Sequence, residues 1–256
     1  MKSNTYYYES YKDDFAVTKN LKYDLIDKKY KYEPNIIFRF FSFILYFIIA
    51  KPLIWLIMKM VYGLRIKNKK VLKECRNKGY FIYGNHTNYM PDAYVPNLLR
   101  WRRNYIIVGG QTASIKGVKT IIKALGARPL GDTIEAKKNL FRFMKNSINK
   151  KKSITIFPEA HIWPYYTSVR PFDSINMKYQ VLLNAPSYSI SYCYSKRKIR
   201  KIPRITVYVD GPFHPDLSLD TKLRQEKLAS DIYKKMKERT DMYSTYSVNN
   251  YIKKNN

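Results

Sequence analysis

Cysteine and the acids are scarce in this chain of 256 residues. Only Cys75 and Cys193 are present, far apart and without partners at metal-ligand spacing. Two such cysteines build neither a zinc site nor a disulfide framework, and a reducing compartment suits them. Asp and Glu number 19 against 48 Lys and Arg, a formal net charge of +29. No acid occurs between Glu33 and Glu74, between Asp92 and Asp132, or between Asp173 and Asp210. So large an imbalance implies an anionic partner. The first acid-free window coincides with the most apolar part of the chain, which argues for a membrane surface and against a nucleic-acid groove. A Gly-rich phosphate loop and an internal repeat are also lacking. No signal peptide is visible, because residues 1–34 are polar and carry acids and bases almost equally.

What is present suffices for one sizeable α/β domain with an appendage: 45% of residues are hydrophobic and 16% aromatic. Residues 1–34 read as a weakly ordered Tyr- and Lys-rich tail, 35–66 as a membrane-associating helical segment, 67–243 as the main domain and 244–256 as a polar C-terminal tail. Ile36 to Leu64 has the length of a spanning helix, but Lys51-Pro52 interrupts it. Proline kinks or breaks a helix, and a central lysine is costly in hydrocarbon. Two short helices inserted into one leaflet suit this pattern best; a kinked span and a helical hairpin packed on the domain are the alternatives. The basic flank Arg65, Lys67, Lys69, Lys70 and Lys73 favours the cytoplasmic side of the cell membrane.

Beyond it, strand and helix signals alternate. Tyr80–Tyr83, Tyr105–Val108, Ser153–Phe157, Ser187–Tyr194 and Ile205–Val209 read as strands. Asp92–Leu99, Ile115–Leu125, Asp132–Asn149 and a terminal stretch through Leu223, Leu228, Ile232 and Met236 read as helices. Gly126 stands at a C-cap position. Asp132 with Glu135 resembles a capping box. Alternation of this kind predicts an α/β layered domain.

Four clusters stand where strands end, the place where open α/β sheets put ligand sites. They are Asn85-His86 followed by Asp92, Gly126 with Arg128, Phe157-Pro158-Glu159, and Pro186 before an apolar strand. A histidine held by a carboxylate is a ready general base. On their own, His86 and Asp92 could equally be a helix cap and a turn residue. Together and in this order the four blocks resemble the glycerolipid acyltransferase family, over roughly residues 65 to 212. The first and third blocks, about 70 residues apart, carry most of the likeness.

The resemblance implies a layered mixed sheet flanked by helices, with 67–243 as the acyltransferase domain. It also implies acyl transfer from a thioester, acyl-CoA or acyl-carrier protein, to the free hydroxyl of a lysophospholipid, foremost 1-acylglycerol 3-phosphate. His86 would be the general base and Asp92 its orienting partner. Arg128 would bind the acceptor phosphate, and Glu159 would position a cation or hydroxyl. Asn85, Phe157, Pro158, His161 and Arg170 complete the expected substrate-binding set, and no cofactor or metal is expected. The alternatives are another lysolipid or glycolipid acceptor, or a non-catalytic basic protein that binds membranes or nucleic acid. Two departures from the family pattern stand out. Five residues separate His86 from Asp92 where the family has four. The third block has Ala160-His161-Ile162 in place of Gly-Thr-Arg, leaving Arg170 as the candidate replacement arginine.

Overall fold

Apolar runs of four or five residues, too short for stable helices, become the central strands of one sheet. The computed structural model describes residues 3–15, 25–115 and 117–254. Its elements begin with β1 (Thr5–Tyr8) and a helical run made of α1 (Ile36–Phe43), a π-helical stretch (Ile44–Ala50) and α2 (Lys51–Met60). Next come β2 (Arg65–Lys67), β3 (Tyr80–Gly84), α3 (Tyr89–Leu98), β4 (Asn104–Val108), α4 (Gly110–Ala113), α5 (Lys119–Ala124) and β5 (Ala127–Pro129). The chain continues through α6 (Ile134–Asn149), β6 (Ser153–Ile156), α7 (Lys178–Leu183), β7 (Ser187–Ser195), β8 (Arg204–Phe213), α8 (Thr221–Tyr243) and β9 (Asn250–Lys253).

The main sheet runs β2-β8-β7-β3-β6-β4-β5. Only β7 and β8 pair antiparallel. Parallel strands are covered on both faces, and β3 is accordingly apolar and buried along its whole length. On one face Leu140 and Phe143 of α6 and Ile232 and Met236 of α8 pack with Phe81, Tyr83 and Ile154. On the other, Met58 of α2 and Val95 of α3 pack with Ile82, Tyr192 and Val207. This is the expected layered mixed sheet flanked by helices.

The apolar segment differs from the expected pair of helices. It is one run, Ile36–Met60, and among the described residues it is the one helix long and apolar enough to cross a membrane. The Lys51 N–H bonds the Tyr46 carbonyl, five residues back. Pro52, which has no N–H, therefore falls where the hydrogen-bond ladder changes step. The extra residue of the π stretch also keeps Lys51 on the same buried face as Ser42, Tyr46 and Met58. Lys51 Nζ donates to the Arg100 carbonyl at 2.5 Å and lies over the Tyr46, Phe47 and Trp101 rings. The central lysine is thus held by protein, while Ile36, Ile37, Phe40, Ile48, Leu53 and Trp55 point outward.

Three further expectations change. Thr133, not Asp132, caps α6: its hydroxyl accepts from Ala136 N at 3.2 Å. Asp132 instead accepts from Ile26 N at 2.8 Å, tying the N-terminal segment to the domain. The helix expected from Ile115 begins at Lys119. Parts of both expected tails are ordered, since β1 and β9 pair in parallel from Thr5↔Asn250 to Tyr8↔Lys253. Aromatic burial supplies the reason: Trp163 stacks on Tyr251 at 4.9 Å, and Tyr6 stacks on Tyr251 from the other strand at 5.2 Å. Residues 16–24 of the expected N-terminal tail, Lys116 of the expected helix and Asn255 and Asn256 of the C-terminal tail lie outside the described residues.

Candidate active site

β3 and β6 are parallel neighbours with Tyr83 opposite Ile156. Each ends at that rung or one residue beyond, so Asn85-His86 and Phe157-Pro158-Glu159 emerge side by side at the carboxyl edge of the sheet. The Phe157 ring stacks on the His86 ring, 4.6 Å between centroids and 19° between planes. Gly84 makes room for this, because a Cβ there would lie 2.8 Å from Phe157 and 2.9 Å from Ile190.

His86 Nδ1 lies 2.8 Å from Asp92 Oδ2. The amides of Thr87 and Asn88 donate to the same oxygen, each at 2.8 Å. Asn88 is extended, with φ −158° and ψ 133°, and α3 starts at Tyr89. The fifth intervening residue is therefore taken up in extended loop. Pro91 falls in the first helical turn, where no donor is needed, and Asp92 is returned to His86. Asp92 is 1% exposed and the His86 side chain 18%. Burial pushes the Asp92 carboxyl above the usual carboxylate range, while the hydrogen bonds from His86, Asn88 and Thr87 pull it back. With Nδ1 engaged, Nε2 is the ring nitrogen left for a substrate.

Glu159 braces the same loop. Its Oε2 accepts from His86 N at 3.3 Å and from Arg170 Nε and Nη2 at 3.0 and 2.8 Å. Its Oε1 accepts from Arg170 N at 3.2 Å. Both side chains are fully buried. Burial raises the Glu159 carboxyl, and the Arg170 guanidinium opposes that rise. Arg170 also donates to the carbonyls of Tyr11 and His161. Two main-chain bonds fasten the loops further, Trp163 N to His86 O at 3.1 Å and Tyr165 N to Thr87 O at 2.8 Å.

The structure thus brings His86, Asp92, Phe157, Glu159 and Arg170 together. Asn85 is adjacent, but its amide ties β3 to β7 by accepting from Tyr192 N at 2.8 Å and donating to Tyr192 O at 3.3 Å. Pro158 is buried beside Glu159, and its carbonyl accepts from Asn176. His161 sits on the outer side of the third block, its Nδ1 3.4 Å from Asp14. Arg128 stands apart on β5, at the far edge of the sheet, three strand positions from β3, a separation of about 14 Å. Its guanidinium lies beside the Tyr105 and Phe143 rings, 4.8 and 5.0 Å from their centroids, and donates to the Lys123 and Ala127 carbonyls. Desolvation lowers its pKa.

Sequence reasoning missed the contribution of the N-terminal arm, whose Tyr11 and Asp13 carbonyls accept from Arg170 and from Trp163 Nε1. Carbonyl acceptors leave no sequence signal; the aromatic run through Trp163 is the one hint of a cluster there. No group of three or more His, Cys, Asp or Glu suited to a metal ion occurs among the described residues.

The acyltransferase family model matches residues 63–192, a stretch that includes both the His86–Asp92 loop and Phe157-Pro158-Glu159. No curated protein matches the chain. Among solved structures, the crystal structure of the 1-acyl-sn-glycerophosphate (LPA) acyltransferase PlsC from Thermotoga maritima aligns with a TM-score of 0.54 at 16% sequence identity. The alignment covers 79% of this chain and 87% of that one. At that identity the likeness speaks for a shared fold.

Proposed function

This chain belongs to the acyltransferase family, and we propose that it moves a fatty acyl group from an acyl thioester to the free hydroxyl of a lysophospholipid, foremost 1-acylglycerol 3-phosphate. The observation that carries this reading is the 2.8 Å contact between His86 Nδ1 and buried Asp92, with the imidazole partly open to solvent. His86 Nε2 takes the proton of the acceptor hydroxyl as its oxygen attacks the thioester carbonyl. Asp92 holds the ring and stabilises the imidazolium as it forms. The tetrahedral adduct collapses, the carbon–sulfur bond breaks, and the proton on His86 passes to the departing thiolate. The ester and the free thiol, on CoA or on a carrier protein, are the products.

The outward apolar face of Ile36–Met60 supports seating this chemistry at a membrane, on the cytoplasmic face, where both substrates have their chains. A second acceptor reading is favoured by one observation: all three guanidinium nitrogens of Arg170 already have protein acceptors, while Arg128, which donates through Nη1, stands apart on β5. An acceptor that is another lysolipid or a glycolipid, held without an arginine fork, fits that arrangement.

The test supplies acyl thioester with lysophosphatidate, other lysolipids and a glycolipid to wild type and His86→Ala. Removal of the general base is expected to lower turnover by about 10²–10⁴-fold. Equal turnover by both proteins sinks the assignment, and turnover restricted to an acceptor other than lysophosphatidate selects the second reading. Binding to anionic vesicles without turnover on any acceptor would return the chain to a non-catalytic role.

A further inference from the structure

We propose that the loop joining β7 to β8 is a second membrane contact that seats anionic phospholipid headgroups beside the apolar helical run; this rests on the membrane-associated reading above. The loop and its flank carry Lys196, Arg197, Lys198, Arg200, Lys201 and Arg204, with no acid anywhere from 174 to 209. None of the six is in an ion pair among the described residues. At their centre Ile199 is 96% exposed. A bare isoleucine ringed by cations has no partner in water, whereas a bilayer surface offers both an apolar layer and phosphates.

Place in the fold gives the second support. Arg197 Nη1 donates to the Val61 carbonyl at 2.6 Å, closing the end of the helical run, and Ile205 N donates to the Tyr62 carbonyl at 3.1 Å. The loop is therefore fixed to the end of α2, next to outward-facing Met60 and in line with outward-facing Leu56 and Leu53, about one and two turns earlier. The loop cations, with Pro203 and Tyr246, line a concavity of about 360 Å³, room for a phosphate headgroup. An apolar face adjoining an unpaired basic loop matches a bilayer, in which acyl chains lie directly under phosphates. The phosphates of a nucleic acid would meet the same cations but leave Ile199 and the apolar face uncovered.

The experiment uses the full chain with phosphatidylcholine vesicles, with and without phosphatidylglycerol. Lys198→Ala/Arg200→Ala/Lys201→Ala is compared with Lys145→Ala/Lys222→Ala/Lys234→Ala, which removes the same charge from α6 and α8 on the opposite face of the sheet. Each cation near an anionic surface contributes about fivefold at low salt. The loop triple is therefore expected to weaken the preference for anionic vesicles by on the order of 100-fold, and the control triple by far less. A polarity-sensitive fluorophore on Ile199→Cys reads insertion directly, because Cys75 and Cys193 are buried; it is expected to report an apolar setting when the protein is vesicle-bound. Equal loss in the two triples, or a fluorophore that stays in water on bound protein, overturns the proposal while leaving the helical anchor standing. Binding to neither kind of vesicle overturns both.

Discussion

Arg170 grips Glu159 with two nitrogens on one carboxylate oxygen, Nε at 3.0 Å and Nη2 at 2.8 Å, in a place neither side chain shares with solvent. The same oxygen accepts from the backbone nitrogen of His86. Removing one partner of a buried pair strands the other charge. Arg170→Ala is expected to lower unfolding free energy by about 3–5 kcal/mol in urea denaturation. Arg170→Lys should recover only part of this, since an ammonium cannot reproduce the planar fork. A loss below about 1 kcal/mol, the scale of an exposed pair, would remove the pair from its bracing role.

Gly84 tests the ring stacked on His86. A methyl at this position must displace Phe157 or Ile190, and an overpacked site costs about 1–3 kcal/mol. Phe157 carries that shift to the imidazole, where a misplacement of about 1 Å can cost 10²-fold in rate. Gly84→Ala is expected to lose turnover out of proportion to its stability. Adding Phe157→Leu should restore stability without restoring turnover. Wild-type turnover in Gly84→Ala would dissociate Phe157 from the alignment of His86.

Cys193 gives a pH dependence with a definite sign. Burial, the largest cause, pushes its thiol from 9.0 up to about 12. The folded value lies above the unfolded one, so the stability this group contributes is complete below pH about 9 and is lost as pH rises toward 12. The urea midpoint should fall across that window, less steeply in Cys193→Ala. At neutral pH neither cysteine of the native protein should react with a thiol reagent, and both should react in urea. Prompt labelling of native Cys193 would contradict its burial.

The sequence made β3 legible because a strand covered on both faces reads as an apolar run, as Tyr80–Tyr83 does, and it made the His86–Asp92 pairing legible because the four blocks stand in order. Periodicity could not deliver the edges. β2 and β5 have three residues each, too few for a pattern. The single helical run was hidden because Lys51-Pro52 reads as a break until one sees the π stretch step over it. The seat of Arg128 beside the Tyr105 and Phe143 rings depends on strand order, which local sequence does not encode. Asp132 and Thr133 could each have capped α6, and a long-range bond to Ile26 decided between them.

The two main-chain bonds from Trp163 and Tyr165 to the carbonyls of His86 and Thr87 have a consequence for how this chain can drift. A weld made of peptide groups does not itself depend on side-chain identity, so substitutions at half-buried Ile162 can accumulate without breaking it, whereas Trp163 is held by its own ring contacts. Pro164 illustrates the latitude: the residue type most hostile to backbone bonding occupies the one position between the two donors where no N–H is required. That indifference offers a physical reason why a third block without its usual Gly-Thr-Arg still presents a loop in register with His86.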